Sequence, residues 1–164
     1  MHQSNLLTKK NLFPLGVLGK PHALNGYIYL NHDVYFRSFN LSGLDVYIND
    51  EEYKIEDFKT HLKNRYLVKF KGLDSINEIV NFRDQDVLIS LSEIDNFISN
   101  NLPWPGFFVG SQVNTEFYVQ NYFYAEELIY LTLKKDSEII IPYNSDFFEY
   151  KENILTLINL DLAQ

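Results

Sequence analysis

The stretch that decides the fold is Gly16–Leu30, with the sequence GVLGKPHALNGYIYL. Strand-forming residues stand at both ends, and a Pro-His pair followed by Gly26 marks a turn between them. Glycine permits turn conformations that a side chain would forbid. The stretch therefore predicts two short strands joined by a structural turn, and neither a catalytic loop nor a nucleotide-binding loop.

The pattern of short strands and turn residues continues on both sides of this stretch, from Leu12 to Ser90. Residues 45–49 and 53–55 flank an acidic turn, which predicts a hairpin. Residues 75–78 have the form of a capping box, which predicts a short helix that closes near Arg83 before a strand at 86–90. The first half is therefore expected to form a small β-barrel or sandwich with little helix.

A second β domain is expected after a linker. Residues 94–106 carry Asn, Ser and two prolines around the one tryptophan, which predicts a linker between domains at 1–93 and 107–164. Strand-like runs follow at 117–119, 128–131, 139–141 and 154–157, although the segment 122–133 could instead be helical at its start. The turns of this domain must use Asn, Asp and Ser, because Gly110 is the last glycine.

The composition limits the class of protein. The 164 residues include no cysteine, which excludes disulfides, thiolate metal sites and a cysteine nucleophile and fits a reducing cytosol. No apolar run approaches the roughly 18 residues that cross a bilayer, and the first ten residues lack the apolar stretch of a signal peptide. A cytoplasmic protein without a membrane anchor is expected.

The net charge of −8 and the pI near 4.9 oppose binding along a nucleic-acid backbone, which needs clustered Lys and Arg. Any contact with RNA must therefore be limited to a small part of the surface. An acidic chain is instead steered toward basic proteins, and ribosomal proteins are partners of this kind.

No motif predicts catalysis. The four histidines lack the close spacing of common metal sites, and the chain contains no glycine-rich dinucleotide motif, phosphate-binding loop or nucleophile elbow. Acidic pairs such as Glu126-Glu127 fit solvated turns better than acid–base chemistry. We therefore predict no catalytic residue, no cofactor and no metal.

Candidate RNA contacts are Lys20, Arg37, Lys69 and Lys71, which could form a local basic patch for a few phosphates. Lys69 and Lys71 are expected to be exposed together on one strand. Scattered lysines that aid solubility explain the same residues equally well. His22 could touch a ligand, but it could also form a hydrogen bond to the backbone and fix its turn.

The aromatic cluster of Trp104, Phe107 and Phe108 is the candidate for binding a partner protein, because large rings bury much area at little entropic cost. The alternative is that these rings form part of a core. The sequence pattern does not choose between the two.

Gly16–Leu30 resembles the opening of the RimM ribosome maturation factors. Residues 66–83 resemble the strand, Gly-hydrophobic-Asp turn and helix of that family. Leu102-Pro103 before Phe107-Phe108, and the segment 139–143, resemble later family motifs in the same order. The chain departs from the family pattern at Ala23, where glycine is usual, and at Tyr27, where an acidic residue is common.

The resemblance implies a six-stranded N-terminal barrel followed by a PRC-barrel, with one or two short helices. It also implies a monomeric assembly chaperone, not an enzyme, for the head of the small (30S) ribosomal subunit, supporting 16S rRNA processing. Small-subunit ribosomal protein nineteen is the implied partner, with Phe107 and Phe108 contributing to the association. The alternatives are a small β-barrel enzyme that uses a flavin or nucleotide, and a PRC-barrel adaptor outside the ribosome.

Overall fold

A computed structural model describes residues 11–163, and the chain divides into two compact units at Leu91/Ser92. The first ten residues, where the sequence predicts no signal peptide, lie outside the described part. No helix within residues 11–163 combines the length and the hydropathy needed to cross a membrane.

The first unit is a closed barrel of six antiparallel strands in the order β1-β2-β5-β4-β3-β6, with β6 pairing back to β1. The strands are β1 Leu12–Pro21, β2 Tyr27–His32, β3 Asp45–Ile48, β4 Glu51–Thr60, β5 Tyr66–Phe70 and β6 Asp86–Ser90. A 3₁₀ helix occupies Val34–Ser38, and helix α1, Ile76–Ile79, continues into a 3₁₀ turn at Val80–Phe82. Because side chains alternate along a strand, one face of each strand fills the barrel with residues such as Ile28, Val68 and Phe70.

The structure confirms the local predictions for this half. β3 and β4 form the expected hairpin around Asn49 and Asp50, which both have positive φ, as a two-residue turn of this kind requires. The predicted helix is present, but the side chain of Ser75 caps no backbone N–H. Its hydroxyl donates instead to the Glu78 carboxylate at 3.0 Å.

Gly26 lies where the two sequence motifs of the first unit, residues 16–30 and residues 66–83, contact each other. Its φ is +89°, and a Cβ at this position would overlap the carbonyl oxygen of Leu73 in the turn after β5. The turn before β2 and the turn after β5 therefore approach each other closely enough that only glycine fits. The motif at 16–30 and the motif at 66–83 are thus two sides of one packing contact.

The second unit consists of antiparallel hairpins. A four-stranded curled sheet has the order β12-β11-β10-β9, and two two-stranded sheets pair β7 with β8 and β13 with β14. The strands are β7 Ile98–Ser99, β8 Leu102–Pro103, β9 Gln112–Val113, β10 Phe117–Ala125, β11 Leu128–Lys134, β12 Glu138–Pro142, β13 Phe148–Lys151 and β14 Ile154–Leu157. Short 3₁₀ helices span Leu91–Asn96 and Pro105–Phe108, and helix α2 spans Leu160–Ala163. The mainly β fold with two small barrel-like units confirms the predicted fold class.

Two details of the second unit differ from, or add to, the sequence patterns. The segment 122–133 is not helical at its start, because it pairs as β10 and β11 around the turn Glu126-Glu127. Residues 94–106, for which the sequence predicts a linker, contribute β7, β8 and buried side chains to this unit. Its tight turns place Asn at positive φ, as predicted, but Thr and Glu take the other positive-φ positions in place of the predicted Asp and Ser.

Candidate nucleic-acid interface

Strands β2, β5 and β4 of the first unit lie side by side and present a shared outer face. Tyr29 pairs with Leu67, and Leu67 pairs with Lys59, so these three residues form a row across the sheet. Their neighbours Ile28 and Val68 point the other way and are fully buried in the barrel. The row therefore lies on the outer side of the sheet, where Lys59 is exposed but Tyr29 and Leu67 are covered, at 5 % and 1 % exposed.

The ring of Tyr29 lies at the centre of this face and is covered by the side chains of Arg65, His22 and His61. The Arg65 guanidinium lies 3.7 Å from the centre of the Tyr29 ring, within the range of a cation–π contact. The His22 ring lies 5.3 Å and the His61 ring 5.8 Å from it, and these two imidazoles are 4.4 Å apart. The Tyr29 hydroxyl and Nδ1 of His22 form a hydrogen bond of 3.2 Å. Tyr29 thus holds three nitrogen-rich side chains in place.

A second cation–π pair extends the face. The Lys59 ammonium lies 4.3 Å from the centre of the Tyr27 ring, whose hydroxyl donates to Asp57 at 2.7 Å. The hydrogen bond to Asp57 raises the pKa of Tyr27, so the phenol stays protonated. We call this surface the basic-aromatic face, and it consists of His22, Tyr27, Tyr29, Lys59, His61 and Arg65.

His61 is held in its neutral form more strongly than an isolated histidine. Desolvation lowers its pKa, and repulsion from His22, Arg65 and Lys59 lowers it further. A phosphate near these groups would offset that repulsion, because an anion favours the charged form of a histidine. The face therefore combines fixed cations with imidazoles that can donate hydrogen bonds to phosphate oxygens or stack on bases.

The structure places the predicted RNA-contact residues differently. His22 belongs to the basic-aromatic face, and its backbone N–H also closes the turn by donating to the Tyr27 carbonyl at 2.9 Å. Lys20 is exposed at the end of β1, Lys71 is exposed after β5, and Arg37 is exposed on the 3₁₀ helix after β2. Of the five predicted residues, His22 is the one that belongs to the basic-aromatic face.

The prediction that Lys69 is exposed together with Lys71 is wrong. Its ammonium donates to the carboxylates of Glu56 and Asp74, each at 2.6 Å, and its side chain is mostly buried. The hydrogen bonds to Asp74 and Glu56 raise the pKa of Lys69. This lysine ties β5 to β4 and to the turn before α1, so its charge is already neutralised within the unit.

The aromatic cluster of the second unit lies in its interior. Trp104, Phe107 and Phe108 are 1 %, 4 % and 6 % exposed. Trp104 packs edge-on against Phe107 at 5.1 Å, and Phe108 packs against Tyr150 at 6.2 Å. Of the two alternatives left open by the sequence, this burial favours the core over a surface that binds a partner.

The net charge is divided unevenly between the units. Residues 1–91 contain eleven Lys and Arg against eleven Asp and Glu, whereas residues 92–164 contain three Lys against eleven Asp and Glu. All of the net charge of −8 therefore belongs to the second unit. The first unit is neutral by itself, so the negative charge that opposes binding to nucleic acid is carried by the other unit.

Lys59, His61 and Arg65 did not emerge from the sequence patterns. A signal was present, because residues 58–73 contain five Lys and Arg and no Asp or Glu in a chain that is acidic overall. The stacking on Tyr29 could not be read from this run, since it depends on the pairing of β2 with β5. Among the described residues, no group of three or more His, Cys, Asp or Glu side chains could hold a metal ion.

The closed six-stranded barrel with its basic-aromatic face, followed by an acidic β unit, defines a class of small two-unit β proteins. Residues 13–94 match the family described as the RimM N-terminal domain. This match covers half of the chain, and the chain therefore belongs to the RimM family.

Two solved structures resemble this chain. A 16S ribosomal RNA processing protein RimM from Pseudomonas aeruginosa is 14 % identical, with 92 % of this chain and 99 % of that chain covered and a TM-score of 0.45. The N-terminal domain of RimM from Thermus thermophilus is 18 % identical, with 51 % of this chain and 93 % of that chain covered and a TM-score of 0.43. No curated protein matches the chain. The family assignment rests on the match of residues 13–94.

Proposed function

We propose that this chain is a ribosome maturation factor that assists assembly of the head of the small ribosomal subunit and supports 16S rRNA processing. It acts in the cytoplasm as a monomer, by binding and without covalent chemistry. It holds nearby rRNA and a ribosomal protein, for which small-subunit ribosomal protein nineteen is the candidate, in a productive arrangement.

The observation that carries the proposal is the basic-aromatic face on the neutral first unit of a RimM-family chain. Phosphate contacts from Lys and Arg supply most of the affinity for nucleic acid, while flat cationic and aromatic groups stack on unpaired bases. Arg65 and Lys59 are oriented by the rings of Tyr29 and Tyr27, so less side-chain freedom is lost on binding than for solvated lysines.

Reversing the charges of Lys59 and Arg65 is expected to weaken RNA binding. Lys59→Glu combined with Arg65→Glu should lower the affinity of the full chain for protein-free 16S rRNA by about tenfold or more at moderate salt. The slope of log affinity against log salt should fall by about one for each lost phosphate contact. Filter binding across a salt series measures both quantities.

The matched control is Lys135→Glu combined with Lys151→Glu, which makes the same change of charge on the second unit. Lys135 and Lys151 are exposed and belong to no part of the basic-aromatic face. If both double variants lose the same affinity, the effect comes from net charge and the assignment of this face is wrong.

The function itself is tested by sedimentation of the tagged full chain with small-subunit precursors, mature ribosomes or buffer alone. The expected result is co-sedimentation with the precursors and little with mature ribosomes. A chain that sediments with neither particle contradicts the proposed function.

A further inference from the structure

The turn between β4 and β5 presents an apolar side chain beside the basic-aromatic face. Leu62 lies in this turn and is 73 % exposed, the largest fraction among the large apolar side chains of the described residues. Its φ of +59° lies in the left-handed region, which strains a bulky residue. Every other described residue with positive φ is glycine or has a small or polar side chain. Neither the backbone conformation nor burial in the unit favours a leucine at position 62.

Arg65 closes the same turn and offers a flat cationic surface. Its carbonyl accepts a hydrogen bond of 2.8 Å from the His61 N–H, so the two ends of the turn are held together. The guanidinium lies over the Tyr29 ring, 3.7 Å from its centre. Tyr29 is 5 % exposed whereas Arg65 is exposed, so the accessible stacking surface here is the guanidinium and not the phenol ring. Nucleic-acid bases stack on arginine guanidinium planes as they do on aromatic rings.

The charges around Leu62 are positive. Lys63 follows it in the turn and is exposed, and Lys59 and Arg65 lie on either side of the turn. Residues 58–73 contain no Asp or Glu. A ligand that fills this surface must therefore combine negative charge with an apolar or flat part that can cover Leu62.

The turn between β1 and β2 adds a second exposed leucine. The rings of His22 and His61 are 4.4 Å apart, so these two turns contact each other through their histidines. Leu24 is 72 % exposed, and residues 11–32 contain no Asp or Glu. A single myristoyl chain holds a protein on a membrane only marginally, and two leucine side chains bury less apolar area. RNA, with its phosphates and flat bases, matches this surface better than a lipid bilayer does.

We propose that Leu62 and Arg65 form a binding site for unpaired RNA nucleotides. One base stacks on the guanidinium of Arg65, Leu62 packs against the adjacent base, and the flanking phosphates lie near Lys59 and Lys63. Duplex RNA keeps its bases stacked inside the helix, so it offers mainly phosphates and ribose hydroxyls to this site. The inference rests on the proposed function and names the class of RNA that the basic-aromatic face takes, which is looped or single-stranded rRNA.

The experiment measures the affinity of the full chain for two RNAs with the same number of nucleotides. One is a hairpin with a large unpaired loop, and the other is a blunt duplex, so the two carry nearly the same charge. Wild type is expected to bind the looped RNA about tenfold more tightly at moderate salt, because each stacked base adds affinity that phosphates alone do not supply. Fluorescence anisotropy with labelled RNA gives both affinities, and anionic lipid vesicles serve as a third probe.

Two variants test the two side chains without changing the charge. Arg65→Lys keeps the cation but removes the flat surface, so the preference for looped RNA should fall about fivefold while duplex affinity and its salt dependence stay at wild-type values. Leu62→Asn introduces a residue that adopts positive φ more readily. It should lose the preference to a similar degree while the hydrogen-exchange protection of the barrel amides is kept or increased, which separates lost binding from misfolding.

Arg83→Lys and Leu128→Asn are the matched controls. Arg83 is exposed after the 3₁₀ turn at Val80–Phe82, and Leu128 is 56 % exposed at the start of β11. Neither residue belongs to the basic-aromatic face or to the turn of Leu62. Both controls should keep the wild-type preference for looped RNA.

Other outcomes overturn the inference. If wild type binds both RNAs equally, or if Arg65→Lys and Leu62→Asn keep its preference, the site does not select unpaired nucleotides, and the proposed function stands on its charged contacts. If wild type binds the vesicles and neither RNA, the occupant is a membrane surface. If it binds none of the three probes, the rRNA contact of the proposed function fails together with this inference.

Discussion

Replacing Gly26 with alanine is expected to lower the free energy of unfolding of the first unit by about 3–4 kcal/mol, one of the largest effects of a single methyl group in this chain. Two costs combine. Gly26 has a φ of +89°, which strains any other residue, and the added Cβ would overlap the Leu73 carbonyl oxygen. Neither backbone segment can move without opening the contact between the turn before β2 and the turn after β5. Hydrogen exchange of barrel amides measures the loss, because Trp104 reports on the other unit.

Gly43→Ala separates the two costs. Gly43 has the same φ of +89°, but a Cβ there would meet nothing within 4 Å. This variant should lose only the conformational part, about 1–2 kcal/mol. Equal losses at both positions would show that the overlap with Leu73 is relieved at no cost, and that the close approach of the two turns is not required for stability.

The first unit is expected to lose stability as the pH falls from about 6.5 toward 4, and His32 is expected to account for part of that loss. The His32 ring is buried, with the Tyr66 and Phe58 rings edge-on at 4.7 and 5.6 Å. Burial lowers the pKa of His32 from 6.5 to about 4, and a weaker opposing effect of the Leu30 backbone does not restore it. Between these two values the unfolded chain binds a proton that the folded barrel does not.

The sign follows from this difference in protons. The favourable contribution of neutral His32 is fully present above pH 6.5, declines as the pH falls, and is lost near pH 4. The decline attributable to this residue should reach about 2 kcal/mol by pH 4.5. His32→Phe and His32→Leu remove the titrating group, so their stability should fall less steeply than that of wild type over the same range. Parallel curves would mean that His32 is protonated without penalty in the folded barrel.

Much of the fold is predictable because local patterns and tertiary pairing agree in the first unit. The Asn49-Asp50 turn, the alternation in β5 and the helix after Gly72 are each favoured by local chemistry. The hairpin of β10 and β11 is different. Residues 122–133 are rich in aromatic and acidic residues with a Glu-Glu pair at the turn, where glycine or asparagine is usual. Only the pairing of β10 with β11, and of β11 with β12, decides that this segment is extended.

The candidate site was only partly predictable, for two physical reasons. Lys69 alternates outward as expected, but the carboxylates of Glu56 and Asp74 come from other elements and bind it. The net charge of the whole chain also gave no sign that the first unit contains as many cationic as acidic residues. A sum over 164 residues argues against RNA binding, whereas the division of charge between the units allows it. His22 was found because a turn marks it, but its partners His61 and Arg65 lie on another hairpin.

The stacked pair of Phe123 and Tyr130 also limits how this protein can evolve. The turn of Glu126 and Glu127 has positive φ at both positions and gives the hairpin little local preference for one register. Cross-strand pairs such as these rings must therefore supply much of the alignment of β10 with β11. A slip of one residue would exchange the buried and open faces of the sheet. Substitutions of either ring thus risk misaligning the hairpin, unless a glycine or asparagine first enters the turn.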